Sequence, residues 1–277
     1  MIIDAHAHVW QLARGDYGWL TPQDEPLYRD FTAVALTAEH DSLGISGCVL
    51  VQAAPTIAET EFLLDVAATM PTCKAVVGWI DMAADDAPAQ LDHFARHRHF
   101  RGIRPMLQDI ADPDWVQQPA LAPAFAALEA RGLTFDALIR AAHVPAILAV
   151  ARRHPELKIV VDHGAKPTIS DRDWPAWADA IEALATCPTI FCKLSGLITE
   201  AALGGDLACL DRWASQLLGA FGPNRLMWGS DWPVVLRNGD LCRWYSWSRA
   251  FVAPHGADAI DAIFGGTAAR FYGFIRE

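Results

Sequence analysis

Short apolar segments alternate with amphipathic segments along the whole chain, and this alternation constrains the fold more than any other feature. The apolar segments are rich in β-branched residues and are largely apolar on both faces, which is typical of parallel strands buried on both sides. Eight such segments predict strands, at residues 2–9, 46–53, 75–82, 100–107, 133–139, 158–163, 189–195 and 225–231. Between them a period of about 3.6 residues predicts helices, among them 59–70, 87–98, 119–131, 144–154, 174–186 and 209–220.

Eight strands alternating with helices in 277 residues predict an α/β fold, a single (β/α)8 TIM barrel over residues 1–277. An open doubly wound sheet is the alternative, but no glycine-rich phosphate-binding loop follows the first strand. In a barrel, catalytic residues lie at the carboxyl ends of the strands. We therefore expect the long βα connections to cover the active site as loops, at residues 10–30, 108–118, 164–173 and 232–250.

Charge and composition restrict the class of partner. The chain has 33 Asp and Glu against 22 Lys and Arg, a net charge of −11, which disfavours binding to nucleic acid or to an anionic membrane. No apolar run is long enough for a membrane helix, and the N-terminus lacks the pattern of a secretory signal. The six cysteines form no C-x-x-C pair, which suits a reducing compartment. We therefore expect a cytoplasmic protein with a small-molecule substrate and neither nucleic acid nor membrane as partner; a homo-oligomer stays open.

Three strand ends carry side chains suited to catalysis or metal binding. The first strand contains Asp4-Ala-His6-Ala-His8, and because side chains alternate along a strand, both histidines share one face. The sixth strand ends at His163, which is followed at once by glycine, and the eighth ends at Asp231. Three imidazoles and a carboxylate at one barrel mouth can polarise a carbonyl, activate water or hold one zinc ion. We predict these four residues, His6, His8, His163 and Asp231, as catalytic, and the same four as the ligands of any single zinc ion.

Six further residues are predicted substrate contacts because they follow strand ends or interrupt apolar strands: Trp10, Arg104, Asp136, His143, Lys193 and Trp232. Arg104 can hold a substrate oxygen, whereas Lys193 can instead pair structurally with Asp136. Tryptophans are frequent in the predicted covering loops, Trp19 among them. A flat aromatic face can cover the C–H face of a sugar ring, so the sequence favours a sugar-like ligand.

Taken in chain order, these motifs resemble those of the amidohydrolase superfamily, with H-x-H after the first strand, a histidine after the sixth and an aspartate after the eighth. The segments 162–167 (DHGAKP), 228–233 (WGSDWP) and 264–273 more narrowly resemble the amidohydrolase-2 branch. That branch holds sugar-lactone hydrolases of the fuconolactonase and rhamnonolactonase types and the pyrone-dicarboxylate lactonase. The resemblance spans the whole chain and implies hydrolysis of an L-fuconolactone-like sugar lactone to the aldonic acid. In that reaction we expect Asp231 to activate the water and the histidine cluster to polarise the carbonyl.

The chain departs from the metal-dependent members of the superfamily at two strands. Residues 101–106 contain no bridging lysine or glutamate, and residues 134–139 contain no histidine. A two-metal site is therefore not expected. The resemblance to the lactonases of this branch implies that no metal cofactor is required, although one bound zinc ion stays open.

Other functions remain open on sequence alone. The same scaffold carries single-metal decarboxylases and metal-dependent amidases. A deoxyribonuclease is disfavoured by the acidic charge, and a non-catalytic sugar-acid binding protein by the convergent histidines and aspartate. Among lactones, a pyrone dicarboxylate would need several loop cations, for which the candidates are Arg14, Arg140, Lys166, Arg172 and Arg237. The abundance of loop tryptophan favours a neutral sugar ring.

Overall fold

A computed structural model describes residues 1–274, and in it eight parallel strands follow one another around a single sheet in chain order. The strands are β1 Ile3–Ala7, β2 Gly47–Val51, β3 Cys73–Gly78, β4 Phe100–Ile103, β5 Thr134–Ala137, β6 Ile159–Val161, β7 Ile190–Leu194 and β8 Leu226–Trp228. A parallel bridge between Ala7 and Trp232 brings the end of β8 back to β1. The predicted (β/α)8 barrel is therefore confirmed. The alternative, an open doubly wound sheet, is wrong, because the strand order of such a sheet reverses at one point, whereas here the strands follow chain order throughout.

Helices cover the outside of the barrel. They are α1 Ala33–Leu43, α2 Ile57–Thr69, α3 Ala87–Ala95, α4 Ala122–Ala130, α5 Val144–Arg153, α6 Trp174–Ala185, α7 Leu197–Glu200, α8 Asp211–Phe221, α9 Leu241–Val252, α10 Ala257–Asp261 and α11 Thr267–Tyr272. A π-helical segment, Ala262–Gly266, joins α10 to α11. Side-chain caps begin several helices; Thr32 accepts from the backbone N–H of Ala35, for example. Every helix within residues 1–274 is too short or too polar to span a bilayer.

Several elements end earlier or begin elsewhere than predicted. β6 ends at Val161 and β8 at Trp228, because His163 (φ 54°) and Asp231 (φ 57°) adopt a left-handed backbone that cannot continue a strand. The connection 232–250 is not wholly a loop, since α9 begins at Leu241. The side chain of Asp240 starts that helix by accepting from a first-turn backbone N–H.

Barrel closure is made by the residues that flank the predicted catalytic groups. The N–H of Asp231 donates to the carbonyl of His6 at 2.8 Å, and the N–H of His8 donates to the carbonyl of Trp232 at 2.7 Å. The N–H of Ser230 donates to Asp4 Oδ1 at 2.8 Å. Because β1 and β8 are joined through these residues, closing the barrel sets two imidazoles beside the carboxylate.

The barrel lumen holds a small apolar core that supports this junction. Inward-facing strand residues pack against α11 and form one buried cluster, which includes Ile3, Val49, Val77, Met227 and Phe271. Protein interiors of this kind are close-packed and resist local displacement. The site at the opposite, carboxyl end of the strands therefore rests on a rigid platform.

Candidate active site

The four predicted catalytic side chains meet at the carboxyl end of the barrel. Asp231 Oδ1 lies 3.3 Å from His8 Nε2 and 3.8 Å from the Nε2 atoms of both His6 and His163. The Nε2 atoms of His6 and His8 are 3.1 Å apart. All four residues are at most 4% exposed. Residues from three distant parts of the chain thus form one buried cluster.

Two strained turns deliver His163 and Asp231 to this cluster. Residues 163–166 all have positive φ, and three of the four are not glycine. A left-handed conformation costs a non-glycine residue about 1–2 kcal/mol. Trp177 Nε1 holds the turn by donating to the carbonyl of Gly164 at 2.7 Å. Backbone strain that the surroundings enforce is concentrated at functional sites, so these turns support a catalytic assignment.

Hydrogen-bond partners assign the protons of His6 and His8. The Lys193 ammonium, which can only donate, lies 3.1 Å from His6 Nδ1, closer than the Arg104 donor Nη1 lies to His6 Nε2 (3.4 Å), so these contacts favour the tautomer of His6 with its proton on Nε2. That proton faces His8 Nε2 at 3.1 Å, and His8 Nδ1 donates to the carbonyl of Val51 at 2.7 Å. Burial and the charge of Lys193 hold the pKa of His6 well below its ordinary value. The two rings therefore form a complete hydrogen-bonded chain with His6 neutral.

A buried ion cluster supports His6 from below. Lys193 Nζ lies 2.6 Å from Asp136 Oδ2 and 2.9 Å from Asp162 Oδ1, and none of these side chains is exposed. Tyr272 in α11 donates to Asp136 Oδ2 at 2.7 Å. Burial opposes the charge of Lys193, but the two carboxylates raise its pKa overall. Lys193 consequently remains a cation whose third N–H points at His6.

Asp231 is ionised beside three buried imidazoles. Burial lowers the pKa of His163 to about 4, so this ring is uncharged at neutral pH. Its Nδ1 lies 2.8 Å from Ser195 Oγ, which leaves Nε2 directed toward Asp231. Burial alone would raise the pKa of Asp231, but the neighbouring histidines, His163 foremost, hold it below its ordinary value. A carboxylate in this state can accept a proton from water.

A cavity of about 260 Å³ opens over the cluster, bordered by His8, His163, Asp231 and Arg104. Each of the four predicted covering connections adds residues to its wall, as expected for a barrel: Trp19, Gln108, Asp109, Lys166 and Arg237. Trp19 is the one tryptophan of the covering loops that borders this cavity within residues 1–274. A concave shape, a partly apolar wall and convergent polar groups are typical of a small-molecule site.

Arg104 is the predicted substrate contact that borders the cavity. Its guanidinium donates to the carbonyl of Gln52, and Nη1 lies 3.4 Å from His6 Nε2 and 3.6 Å from Asp162 Oδ2. Gln52 in turn donates to the carbonyl of Arg104 at 2.5 Å. This reciprocal pair fixes a cation beside the catalytic cluster.

The other five predicted substrate contacts lie behind the wall. Asp136 and Lys193 belong to the buried ion cluster, and His143 Nε2 donates to the carbonyl of Leu107 at 3.2 Å. Trp10 Nε1 donates to the carbonyl of Arg29 at 2.8 Å, and Trp232 packs edge-on against Phe31 with ring centroids 5.2 Å apart. None of the five borders the cavity in residues 1–274, so their contact with substrate stays a prediction.

Three supporting residues escaped the sequence-based predictions. Asp162 pairs with Lys193 in the buried ion cluster, and Ser195 contacts and orients His163. His40 Nε2 lies 3.0 Å from Asp4 Oδ2. Ser195 had a usable signal, because it follows Lys193 by two residues, just past β7, where an extended chain puts both side chains on one face. His40 had none, since a histidine within a helix gives no indication of its partner.

The donor set fits one zinc ion, and two of its members, His6 and His8, are hydrogen-bonded without it. His6, His163 and Asp231 offer ligand atoms within 4.8 Å of one another, and His8 Nε2 adds a third nitrogen beside them. To bind zinc, His6 would move its proton to Nδ1, where Asp162 Oδ1 at 3.4 Å can accept it. The cations Lys193 and Arg104, close to His6, oppose a further positive charge.

Comparison with known proteins places the chain among close relatives. Residues 3–274 match the family model described as Amidohydrolase. The L-fucono-1,5-lactonase of Burkholderia ambifaria is 45% identical over 277 residues, covering 98% of this chain and 94% of that protein. The L-fucono-1,5-lactonase of Burkholderia multivorans is 35% identical, covering 98% and 95%. The crystal structure of a Burkholderia multivorans amidohydrolase with bound zinc superposes with a TM-score of 0.93 at 34% identity and covers 99% of each chain.

Proposed function

The chain belongs to the amidohydrolase family, and from that premise we propose that it hydrolyses a sugar lactone resembling L-fucono-1,5-lactone to the aldonic acid. Two relatives named L-fucono-1,5-lactonase match 98% of the chain, which supports lactone hydrolysis. The observation that carries the chemistry is the position of Asp231 Oδ1, within 3.8 Å of the Nε2 atoms of three imidazoles. Asp231 and two of these imidazoles, those of His8 and His163, border the cavity. This group is placed to accept a proton beside donors that can polarise a carbonyl.

In the proposed reaction, Asp231 accepts a proton from water while the water oxygen bonds to the lactone carbonyl carbon. The carbonyl oxygen takes up negative charge, which Arg104 and the Nε2–H of His163 stabilise as donors. The intermediate then collapses and breaks the bond between the carbonyl carbon and the ring oxygen. The leaving ring oxygen takes the proton from Asp231, which restores the carboxylate and releases the acid.

The charges around the cavity favour an uncharged sugar ring over a dicarboxylate. Two of the loop cations considered for a pyrone dicarboxylate border the cavity, Lys166 and Arg237. Lys166 lies 3.3 Å from Glu200 Oε1, and Arg237 lies 3.1 Å from Asp24 Oδ1. A doubly charged substrate would have to compete with these carboxylates, whereas a neutral ring can rest against Trp19.

We propose that hydrolysis does not require a metal ion. His6, His8, His163 and Asp231 would hold zinc, and when bound it would act as a Lewis acid on the carbonyl. Arg104 already supplies a fixed positive charge at this place, and the His6–His8 chain is fully hydrogen-bonded as it stands. The protein's own donors therefore suffice to stabilise the developing oxyanion.

Acid release from a panel of aldonolactones, followed with a pH indicator, tests both proposals. The protein is treated with chelator and its metal content is measured before assay. We expect turnover of fucono-1,5-lactone by metal-free protein, above the spontaneous rate and above that of Asp231→Asn. Activity that returns only with one equivalent of zinc would overturn metal independence, while no acid release in either state would overturn the lactonase proposal and favour a decarboxylase, which releases carbon dioxide.

A further inference from the structure

A buried carboxylate outside the catalytic cluster joins two walls of the cavity. Glu59, in the first turn of α2, has no exposed surface. Its Oε1 accepts from the N–H of Ala53 at 2.9 Å, and its Oε2 accepts from the hydroxyl of Tyr17 at 2.8 Å. Ala53 borders the cavity just after β2, whereas Tyr17 belongs to the long connection between β1 and α1. Glu59 thus fastens one covering loop to the neighbouring strand end.

Charged contacts strengthen this attachment. Arg14 Nη2 lies 3.3 Å from Glu59 Oε2 and 2.6 Å from Asp16 Oδ2. Asp16 Oδ2 also accepts from the hydroxyl of Thr56, the residue that caps α2, at 2.7 Å. Residues 14–17 are therefore held at the start of α2 through a network of which Glu59 is the fully buried member.

The attachment ends at the cavity wall, on Trp19. Trp19 Nε1 donates to the carbonyl of Ala53 at 2.7 Å, so Glu59 holds the N–H of Ala53 and Trp19 holds its carbonyl. The Trp19 ring meets Trp10 edge-on at 5.5 Å between centroids and borders the cavity. The position of this ring over the site accordingly depends on the residues that Glu59 secures.

Helix capping does not account for Glu59. In a capping box, the glutamate at the third helical position reaches back to the backbone N–H of the capping residue. Here the N–H of Thr56 donates instead to the carbonyl of Ala54, and the carboxylate of Glu59 turns toward Tyr17 and Ala53. Burying a carboxylate is unfavourable in free energy unless it is hydrogen-bonded, so an apolar residue would be more stable here if packing were the only role of this position.

We propose that Glu59 is a positioning residue for lactone hydrolysis, fixing residues 14–19 so that Trp19 covers the apolar C–H face of the bound ring. The inference rests on the proposed function for the nature of the ligand. Glu59 does not border the cavity and acts through Trp19. Ordering the wall before substrate arrives lowers the entropic cost of binding, and Asp231 lies on a different strand end. Loss of Glu59 therefore raises KM while kcat is retained.

Steady-state lactone hydrolysis by four variants tests the proposal. We expect Glu59→Ala to raise KM about tenfold, since the hydrogen bonds of a buried carboxyl group are lost, with kcat changed less than about twofold. Glu61→Ala is the matched control, because Glu61 is exposed on the same helix, and should leave both constants unchanged. Trp19→Ala should raise KM similarly. The double variant of Glu59 and Trp19 should be no worse than Trp19→Ala alone, because the two residues act as one unit.

A smaller change guards against a variant that fails to fold. Tyr17→Phe removes the two hydrogen bonds of the hydroxyl, to Glu59 Oε2 and from Arg14 Nε, and keeps the carboxylate, so KM should rise about threefold with unchanged kcat. An unchanged KM in both Glu59→Ala and Tyr17→Phe, a loss confined to kcat, or additive effects of Glu59→Ala and Trp19→Ala would overturn the inference. Wild-type protein without lactone turnover would instead overturn the proposed function, so the two failures are distinguishable in one experiment.

Discussion

At the scale of single residues, the partners of each side chain decide what it can do in the reaction. Asp231 keeps its charge because the neighbouring imidazoles lower its pKa against the effect of burial. Asp231→Asn preserves the shape of the side chain and removes the base, so we expect kcat to fall about 10²-fold or more with the fold intact. Acid release and circular dichroism measure these two outcomes. Turnover close to wild type would remove Asp231 from the mechanism.

Ser195 contributes through His163 and offers a second test. Ser195→Ala leaves the buried Nδ1 of His163 without its partner at 2.8 Å. We expect kcat to fall about tenfold, because a lost hydrogen-bond partner at a buried site costs about 1–3 kcal/mol, while KM changes little. Ser248→Ala is the control, because the hydroxyl of Ser248 is buried and has no hydrogen-bond partner within residues 1–274. Equal losses of kcat in the two variants would contradict an orienting role for Ser195.

Which of these residues the sequence could predict depends on whether they sit on a periodic element. His6 lies near the end of a recognisable strand, and His163 and Asp231 lie two and three residues beyond the ends of two others; parallel strand ends must meet at one face of a barrel. Trp10 and Trp19 lie in the same irregular loop, whose sequence has no helical or strand periodicity to indicate which of the two side chains faces the cavity. The structure buries Trp10 and puts Trp19 on the wall because Ala53 accepts from the Trp19 indole.

At the scale of elements, the site depends on how closely β8 approaches β1. A Cβ atom added to Gly229, just after β8, would lie 2.7 Å from the Cβ of His6. We expect Gly229→Ala to lower the free energy of unfolding by about 1–3 kcal/mol, since overpacking pushes the two strand ends apart. The same displacement moves His6 from Asp231, so kcat should fall as well. Urea unfolding and acid release measure the two effects.

Gly219→Ala is the matched control for that substitution. Gly219 lies inside α8, and a Cβ added there would meet no heavy atom within 4 Å. Alanine is the better helix former, so this variant should gain about 0.5–1 kcal/mol of stability and keep wild-type kcat. Destabilisation of both variants by similar amounts would show that contact with His6 is not the cause.

Element types were predictable from periodicity, whereas their ends were not. β6 and β8 end at residues that take positive φ, and nothing in the apolar pattern marks this change because His and Asp also occur in extended strands. Likewise, α9 lies within residues 232–250, a long connection that the sequence predicts to be a loop, although Asp240 caps the helix. At the two strand ends contacts with the rest of the barrel decide the backbone, whereas α9 begins at a local cap, Asp240.

At the scale of the whole molecule, one line of contacts runs from the end of the chain to its beginning. Tyr272 donates to Asp136, Asp136 pairs with Lys193, and Lys193 donates to His6. These four residues come from α11, β5, β7 and β1, so the line exists only once the barrel has closed. The sequence marked Lys193 and Asp136 as unusual within apolar strands. Their contact with His6 arises only when the barrel closes and brings β1, β5 and β7 together, so it cannot be read from the sequence of any one strand.

The stability of the whole molecule should depend on pH through Glu59. Burial raises the pKa of Glu59 from 4.5 to about 7, so the folded chain holds this proton more tightly than the unfolded chain. Between these pH values the free energy of unfolding falls as pH rises, by about 3 kcal/mol in total at about 1.4 kcal/mol per unit. Glu59→Gln cannot titrate, so its free energy of unfolding in urea, measured relative to wild type, should rise by about this amount between pH 4.5 and about 7.

Glu61→Gln, exposed on the same helix, is the control, and its free energy of unfolding relative to wild type should not change over this pH range. A difference between Glu59→Gln and wild type that is independent of pH would contradict a buried, titrating carboxylate beneath the covering loop.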